Sequence, residues 1–426
     1  MTIYDFITKL NSGELDGKLA ELYGAENVLR QHIRYLSAAE NFSKLYPECD
    51  DIQVFSASGR TEIGGNHTDH QHGCVLAAAV SLDIVAIVAF HDEGVIRYSS
   101  ADRPECTVRL DDLAVNEAEK ETTEALIRGV AAGFAGLDVN VGGFNVFADS
   151  SVPVGSGLSS SAAFEILIGT IIDEHCNGGK AGAVEIARIG QYAENVYFGK
   201  ASGLMDQLVS SVGGFSFIDF EDPDEPTVER VSFDFESKGY RVCITDTGSS
   251  HADLSGDYSA ISDEMKHVAN ELGCEVLREV SEEEFYEKLP ELRKVCTDRE
   301  LLRAAHFFAE SERAALEAQA LRNGDTEEFF ELVNASGMSS AELLQNIYSP
   351  AAPQSQPLNL AIAISRRILG GSGAVRVHGG GFAGTIQAFV PIYTLRDYIS
   401  EMERIFGIGS CSPLNIRPVG GTRICR

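Results

Sequence analysis

Residues 153–162 read P-V-G-S-G-L-S-S-S-A and decide the fold, because a predicted strand precedes them and a helical pattern follows them. The strand is predicted at 144–149 and the helix at 159–176. Glycines let backbone N–H groups converge on an anion, and a helix N-terminus adds unpaired donors and a partial positive charge. The stretch therefore predicts a phosphate-binding loop, in which Ser159, Ser160 and Ser161 can add hydrogen bonds or a magnesium ligand.

This loop belongs to neither of two common nucleotide-binding types. No Gly-Lys-Ser/Thr follows at the spacing of a Walker A loop, and Ser160 stands where the dinucleotide fingerprint has its third glycine. A glycine-serine turn that caps a helix is the simpler interpretation of these residues taken alone. The other motifs have to decide between the two.

Upstream, residues 59–71 read G-R-T-E-I-G-G-N-H-T-D-H-Q and concentrate polar side chains in a predicted loop after a strand at 52–58. Asn66, His67 and Asp69 offer the donors and the carboxylate acceptor that a polyol site needs. Arg60 can stabilise charge on a transferring phosphoryl group. Two alternatives stay open: a metal site of Asp69 with the histidines at 67, 70 and 72, and a solvated surface loop.

Two acidic residues downstream complete the candidate site. Glu194 lies in a predicted helix at 181–198, and Asp206 follows twelve positions later in the stretch G-L-M-D-Q at 203–207. An aspartate at a helix start is more often an N-cap than a catalytic group. Beside a phosphate loop, however, one carboxylate for a metal ion and one near an acceptor hydroxyl suit phosphoryl transfer.

Composition limits the functions open to the chain. Its 426 residues exceed what one hydrophobic core usually supports, so we expect two packed domains, at 1–220 and 221–426. A formal net charge of -30 repels nucleic acid and anionic membranes, so we expect a small-molecule substrate and a monomer or weak homo-oligomer. The nine cysteines are scattered, and no secretory signal or membrane-spanning run is visible, which predicts reduced thiols and a cytoplasmic location.

Together these segments resemble the GHMP small-molecule kinases, and within them the galactokinases. The first galactokinase signature, G-R-V-N-L-I-G-E-H-T-D-Y, stands here as G-R-T-E-I-G-G-N-H-T-D-H, the second matches at 153–162, and V-R-V-H-G-G-G-F-A-G at 375–384 resembles the third. The resemblance implies a two-domain α+β fold, with an N-terminal domain like that of a ribosomal protein and a C-terminal ferredoxin-like α/β domain with added helices. It also implies ATP and Mg²⁺ as cofactors and a galactose-like sugar phosphorylated on its anomeric hydroxyl.

The resemblance assigns roles to the matching positions. Asp206 resembles the catalytic aspartate at the sugar C1 hydroxyl, and Arg60 resembles the arginine that holds it ionised and meets the phosphoryl group. Ser161 and Glu194 resemble the magnesium-binding pair. The residues that match the phosphate loop are Gly155, Ser156, Gly157, Leu158, Ser159, Ser160 and Ser161. The residues that match the sugar contacts are Asn66, His67, Asp69, Gly203 and Tyr258.

One departure affects the expected substrate. Asn66 stands where galactokinases have a glutamate facing the sugar C6 hydroxyl, and D-H-Q at 69–71 resembles galacturonate kinases, so galacturonate becomes admissible. The loop adds no lysine or arginine for a uronate, which keeps galactose ahead. A regulator that binds sugar and ATP without turnover is an alternative of another class, and the presence of Arg60, Ser161 and Asp206 argues against it.

Overall fold

The computed structural model describes residues 1–101, 103–153, 157–200, 202–249 and 254–426, and for residues 103, 104 and 255 it describes the backbone alone. Gly155 and Ser156 of the predicted phosphate loop lie outside the described residues. The strands are β1 (Gln53–Gly64), β2 (Cys74–His91), β3 (Val95–Ser100), β4 (Arg103–Arg109), β5 (Gly143–Ser150), β6 (Phe215–Asp219), β7 (Thr227–Val231), β8 (Tyr240–Asp246), β9 (Ala374–Val377), β10 (Thr385–Pro391), β11 (Cys411–Leu414) and β12 (Thr422–Cys425). The helices are α1 (Ile3–Asn11), α2 (Asp16–Tyr23), α3 (Val28–Leu45), α4 (Thr123–Gly136), α5 (Ser160–Ile172), α6 (Gly182–Tyr192), α7 (Met205–Val212), α8 (Ser255–Glu271), α9 (Glu282–Leu292), α10 (Asp298–Asn323), α11 (Thr326–Ser339), α12 (Pro357–Leu369) and α13 (Leu395–Phe406).

The first sheet has the strand order β12-β1-β2-β5-β3-β4, with β6 beside the first part of β2 and β7 beyond β6. Strands β3 and β5 run parallel, and the other pairs run antiparallel. Because side chains alternate along β2, Ala86 and Val88 pack with α4–α7, whereas Val85 and Ile87 pack with α1–α3. Helices thus cover both faces of this sheet, which explains why its longest strand, β2, is apolar over most of its length.

The second sheet is antiparallel, in the order β11-β8-β10-β9. Helices α12 and α13 pack on one face. On the other face Phe389 packs with Phe329 of α11 and with Phe235, in a core that also takes Ile63 and Leu76 from the first sheet. Helices α10 and α11 therefore join the two sheets, and the α+β class is confirmed.

The first sheet draws strands from both ends of the chain. Strand β7 pairs with β6, and β12 at the C-terminus pairs with β1, so the sheet extends past the predicted boundary at residue 220. In the described residues no helix is both long and apolar enough to cross a bilayer.

Two local predictions needed correction. Strand β1 runs to Gly64 instead of ending at 58, so the first part of the polar motif is strand and not loop. The helical spacing of Leu29, Ile33, Leu36 and Phe42 predicts a helix at 25–46, and α3 forms there, but Leu29 and Ile33 are exposed while Tyr35 and Phe42 are buried. The hydroxyl of Tyr35 lies 2.8 Å from that of Tyr23, which donates to buried Asp83, and this polar network sets the buried face.

Candidate active site

Strand β1 brings Arg60 to Asp206 at the start of α7. Arg60 Nε donates to Asp206 Oδ1 at 2.7 Å, and Nη2 donates to Oδ2 at 2.8 Å. A guanidinium that faces both carboxylate oxygens forms the strong, bidentate kind of ion pair. Burial acts to raise the pKa of Asp206, but the charge and hydrogen bonds of Arg60 outweigh it and hold this pKa below its ordinary value. Asp206 is therefore ionised at neutral pH.

The described part of the phosphate loop is tied to this pair. Ser159 Oγ donates to Asp206 Oδ2, and the backbone N–H of Arg60 donates to Leu158 O at 3.1 Å. A Cβ at Gly59 would lie 2.8 Å from Leu158 O, so the strand needs glycine there to approach the loop so closely. The loop and the Arg60–Asp206 pair consequently form one unit.

The start of α5 is suited to an anion. Ser159 occupies the N-cap position in a left-handed conformation, φ +56°, and no side chain among the described residues caps the helix. The first N–H groups of a helix lack intrahelical partners, and the helix dipole favours negative charge there. This end of α5 fits a phosphate group.

Ser161 and Glu194 lie in direct contact. Ser161 Oγ donates to Glu194 Oε1 at 2.9 Å, and Lys200 Nζ donates to the same oxygen at 2.9 Å. Ser202 Oγ donates to Glu194 Oε2 at 2.7 Å. Burial tends to lower the pKa of Lys200, but the charge of Glu194 outweighs it and raises this pKa above its ordinary value. A hydroxyl and a carboxylate are the hard oxygen donors that Mg²⁺ prefers.

Behind Glu194 lies a second buried carboxyl group. Gln207 Nε2 donates to Glu194 Oε2 and to Glu165 Oε2, both at 2.9 Å. Burial, with the charge of Glu194, raises the pKa of Glu165 well above its ordinary value. Glu165 Oε1 and Gln207 Oε1 are both buried without a hydrogen-bond partner among the described residues, and a neutral carboxyl could donate to an amide oxygen. The glutamine thus orients Glu194 from behind.

Asp69 and Gly203 lie together on the other side of Asp206. Asp69 begins a short 3-10 turn that ends at Gln71. A Cβ placed on Gly203 would lie 2.9 Å from Asp69 Oδ2, so the carboxylate rests directly against this glycine. Gly203 is exposed and stands three residues before Asp206. The Asp69 carboxylate beside it is therefore an accessible hydrogen-bond acceptor near Asp206.

His67 and Tyr258 both contact the third glycine-rich segment. His67 Nε2 donates to Gly380 O at 3.0 Å, and Tyr258 Oη donates to Gly381 O at 2.8 Å. Burial lowers the pKa of His67 to about 3, so its ring is neutral. These two side chains connect three segments: the loop at 65–73, called the sugar loop below, helix α8 and the third glycine-rich segment.

The third motif also lies behind the phosphate loop. His378 Nε2 lies 2.9 Å from Thr61 Oγ1, and a Cβ on Gly157 would lie 3.3 Å from His378 Nδ1. Gly157 O in turn accepts a hydrogen bond from Arg60 Nη1. The histidine supports the loop and the arginine together.

Asn66 is placed differently from the expectation that it faces a sugar. Its side chain is fully buried, and Nδ2 donates to Glu62 Oε1 at 3.0 Å and to Gly379 O at 2.7 Å. Its oxygen accepts from Asn346 Nδ2 at 2.8 Å. Because protein groups occupy both ends of the amide, this geometry gives Asn66 a role in packing the loop against the second sheet.

A cavity of about 480 Å³ opens beside the start of α5. Its lining is mixed, with apolar side chains around a few hydroxyls, as in many ligand sites. The side chains that line it include Tyr98, Ser100, Thr123, Leu126, Ser160, Ser161, Phe164 and Phe198. The Tyr98 and Phe164 rings meet edge to face, 5.1 Å between centroids. The cavity continues from the anion site and fits the base and sugar of a nucleotide.

Two family models match within the chain. GHMP kinases N terminal domain matches residues 122–214, which include the phosphate loop, Glu194 and Asp206. The chain therefore carries a GHMP kinase N-terminal domain in this region. The galactokinase galactose-binding signature matches residues 40–90, which include Arg60 and Asp69. The two matched regions identify the protein as a galactokinase-like phosphotransferase with an alcohol group as acceptor.

Solved structures share the fold of this GHMP kinase. The crystal structure of Lactococcus lactis galactokinase complexed with galactose is 22% identical, with 90% of this chain and 98% of that chain covered and a TM-score of 0.77. Methanococcus jannaschii mevalonate kinase is 16% identical, with 86% and 98% covered and a TM-score of 0.62. At these identities the likeness concerns the fold.

Two polar residues of the site were not predicted from the sequence. Lys200 approaches Glu194, and Gln207 bridges Glu194 to Glu165. Lys200 stands six residues after Glu194 and six before Asp206. It is the only basic residue in the sequence between these two candidate acids, and this position could have marked it as a site residue.

Proposed function

We propose that this GHMP kinase transfers the γ-phosphoryl group of ATP to the anomeric hydroxyl of galactose. The observation that carries the proposal is the meeting of three segments at one carboxylate: Asp206 accepts from Arg60 of β1 and from Ser159 before α5. An acceptor hydroxyl beside Asp206 would stand next to the anion site at the start of α5, which is the alignment that in-line transfer needs.

Asp206 acts on the hydroxyl mainly by orienting and polarising it. The hydrogen bonds from Arg60 and Ser159 occupy part of its acceptor capacity and leave room for one more donor on Oδ1. A carboxylate whose pKa lies below its ordinary value is a weak base at neutral pH, so complete proton abstraction ahead of transfer is disfavoured. In a loose transition state the proton can leave late, toward the same oxygen.

The donors present fit ATP with Mg²⁺. The uncapped start of α5 and the adjoining cavity suit a nucleotide, and the oxygens of Ser161 and Glu194 suit the metal. When bound, Mg²⁺ neutralises charge on the phosphates. The chain contributes the N–H groups of α5, the guanidinium of Arg60 and the ammonium of Lys200, which supply local positive charge in an otherwise acidic protein.

Asp69 is proposed to accept from sugar hydroxyls across Gly203. A uronate would need an additional cation, and three basic side chains described around these loops are already paired with carboxylates. The pairs are Arg60 with Asp206, Lys200 with Glu194, and Arg303 with Glu264. This favours a neutral galacto-configured sugar over galacturonate.

The test is ADP formation from Mg-ATP with galactose, galacturonate, N-acetylgalactosamine, arabinose and glucose at equal concentration. Galactose is expected to give the highest kcat/KM, and Asp206→Asn is expected to abolish turnover. Asp219→Asn is the matched control, because Asp219 is also a half-buried aspartate paired with an arginine, Arg278, at 2.9 Å. Turnover of galacturonate alone would show that galacturonate, and not galactose, is the substrate. No ADP formation with any sugar would favour a regulator that binds sugar and ATP without turnover.

A further inference from the structure

Away from the candidate active site, α8 and α10 bring a histidine, a cysteine and a glutamate together. His267 lies on α8, Cys296 lies just before α10, and Glu300 lies in the first turn of α10. One donor atom from each residue lies within 4.8 Å of the other two. Nitrogen, sulfur and oxygen donors therefore converge at one point between two helices.

The histidine ring is held from both sides. His267 Nδ1 lies 2.7 Å from Glu300 Oε1, and Nε2 lies 3.7 Å from Oε1 of Glu271, one turn further along α8. A metal-bound histidine usually directs its second ring nitrogen toward a carboxylate or carbonyl, which fixes the ring. Glu271 stands in the position of that outer partner, and Nδ1 faces the converging donors.

Glu300 is also fixed before any metal binds. Its Oε2 accepts from the backbone N–H of Thr297 at 2.5 Å, within the capping box that begins α10. This bond orients the carboxylate and leaves Oε1 directed toward His267. The helix cap thus preorganises one donor of the cluster, which reduces the cost of assembling a site.

The cluster carries uncompensated negative charge. Within the described part of the chain neither Glu271 nor Glu300 forms an ion pair with a lysine or an arginine, and His267 is their common partner. Cys296 is 7% exposed, and among the described residues its thiol has no hydrogen-bond partner. Two carboxylates and a buried, unpartnered sulfur favour a bound cation that accepts soft donors.

We propose that His267, Cys296 and Glu300 bind one Zn²⁺ ion, which ties α8 to α10. This donor set suits zinc, which accepts imidazole, thiolate and carboxylate in tetrahedral geometry, and water would fill the fourth position. As the zinc–sulfur bond forms, the thiol proton passes to solvent. Tyr258 of α8 and His306 of α10, whose ring lies 2.9 Å from Asn66 O, flank the sugar loop, so the ion would stiffen the support of that loop.

The test uses the full chain without an affinity tag, stripped of metal and titrated with Zn²⁺ against a chromogenic chelator. One equivalent is expected to bind, and His267→Gln and Cys296→Ser are expected to lose it. Glu271→Gln should weaken binding by about 10- to 100-fold, as for other outer partners. Bound Co²⁺ should show a thiolate-to-metal absorption band that Cys296→Ser removes.

Two controls separate this site from adventitious binding. Cys49→Ser removes a half-buried cysteine beside Asn145 of the first sheet, and His32→Gln removes a histidine that lies 2.7 Å from Asp16, so both variants should bind zinc like the wild type. His267 is 42% exposed, so its variant is expected to fold and to keep sugar kinase activity. Unchanged zinc binding in His267→Gln, a cobalt spectrum without the thiolate band, or several weak equivalents would each overturn the proposal.

Discussion

Arg60→Met tests whether the arginine keeps Asp206 ionised for the reaction. The substitution removes two charge-assisted hydrogen bonds, of 2.7 and 2.8 Å, and leaves a similar apolar stem. Such bonds contribute about 1.5–3 kcal/mol each, so the carboxylate form loses roughly 3 kcal/mol or more. At about 1.4 kcal/mol per tenfold change, the ionisation constant falls by at least roughly 100-fold.

The sign of the pH effect follows from the two opposing causes. In the wild type Arg60 holds the pKa of Asp206 below its ordinary value, so this group gives no acid limb near neutral pH. Without Arg60 the effect of burial remains and raises the pKa. We therefore expect activity of Arg60→Met to fall as the pH is lowered from 8 toward 5, whereas the wild type stays level.

The rate should fall as well, because Arg60 also meets the phosphoryl group in the proposed reaction. Transition-state arginines contribute about 10³- to 10⁵-fold in kcat, so a loss of roughly 10³-fold or more is expected. Arg60→Lys keeps the positive charge but lacks the planar guanidinium that bonds both carboxylate oxygens, so its kcat should lie between those of the wild type and Arg60→Met. ADP is measured by chromatography, since coupling enzymes have pH limits of their own.

Arg128→Met is the matched control. Arg128 of α4 pairs with Glu119 in the same bidentate way, with both nitrogen–oxygen distances 2.8 Å and similar burial, and neither residue lines the cavity beside α5. It should keep the wild-type rate and pH profile. A loss below tenfold in Arg60→Met with an unchanged pH profile would refute the role assigned to the pair.

Three further substitutions have defined outcomes. Gly203→Ala should raise the KM for sugar by roughly 10-fold, because the new Cβ displaces the Asp69 carboxylate from 2.9 Å. Arg417→Met leaves Asp83 fully buried with one fewer cation, so the free energy of unfolding should fall by about 3 kcal/mol at pH 7 in denaturant titrations. Because the pKa of Asp83 is lowered in the fold, by the nearby arginines against burial, this deficit should shrink as the pH falls. Lys200→Met should lower kcat by roughly 10-fold and lower the Mg²⁺ concentration needed for half-maximal rate, since a competing cation is gone.

Each of these has a matched control. Gly136→Ala adds a Cβ in open space, so its KM for sugar should stay within twofold of the wild-type value. A wild-type KM in Gly203→Ala would contradict the proposed contact of Gly203 and Asp69 with the sugar. Arg423→Met breaks a half-exposed pair and should cost about 1 kcal/mol or less, so an equal loss in Arg417→Met would contradict the buried network. Lys288→Met removes an exposed i,i+4 pair and should leave kcat and the Mg²⁺ dependence unchanged. An unchanged kcat in Lys200→Met would place that ammonium outside the reaction.

Long apolar periodicities predicted much of the fold. These patterns predict a buried strand at 75–90 and helices at 301–322, 358–369 and 395–406, and β2, α10, α12 and α13 lie within a few residues of these bounds, because tertiary packing and local pattern agree there. The sequence pattern did not predict which polar side chains are buried. Arg60 and Glu62 lie inside β1, where Glu62 pairs with Arg376 at 2.8 Å across the two sheets, and no local pattern marks such a partner.

The candidate site divides in the same way. The candidate residues lie in compact motifs, and the family resemblance implies the contact of Arg60 with Asp206, whereas the hydrogen bond from Ser159 to Asp206 was not predicted. The cavity beside α5 could not be predicted, since β3, α4 and the turn after α6 each supply a few ordinary side chains to it. A surface assembled from separate elements has no sequence pattern of its own.

Asn66 shows how a motif position can change its role. Both hydrogens of its amide go to acceptors, Glu62 Oε1 and Gly379 O, and its oxygen takes the donor Asn346 Nδ2. A glutamate at this position would place a second carboxylate against Glu62 in a buried site, where like charges repel strongly and both acceptors would lose their donor. Asn66→Glu is therefore expected to destabilise the contact between the sheets more than it alters the choice of sugar. The partners of Asn66 thus account for an amide at this position, and in the proposed reaction discrimination between sugars falls to accessible groups, with Asp69 foremost among them.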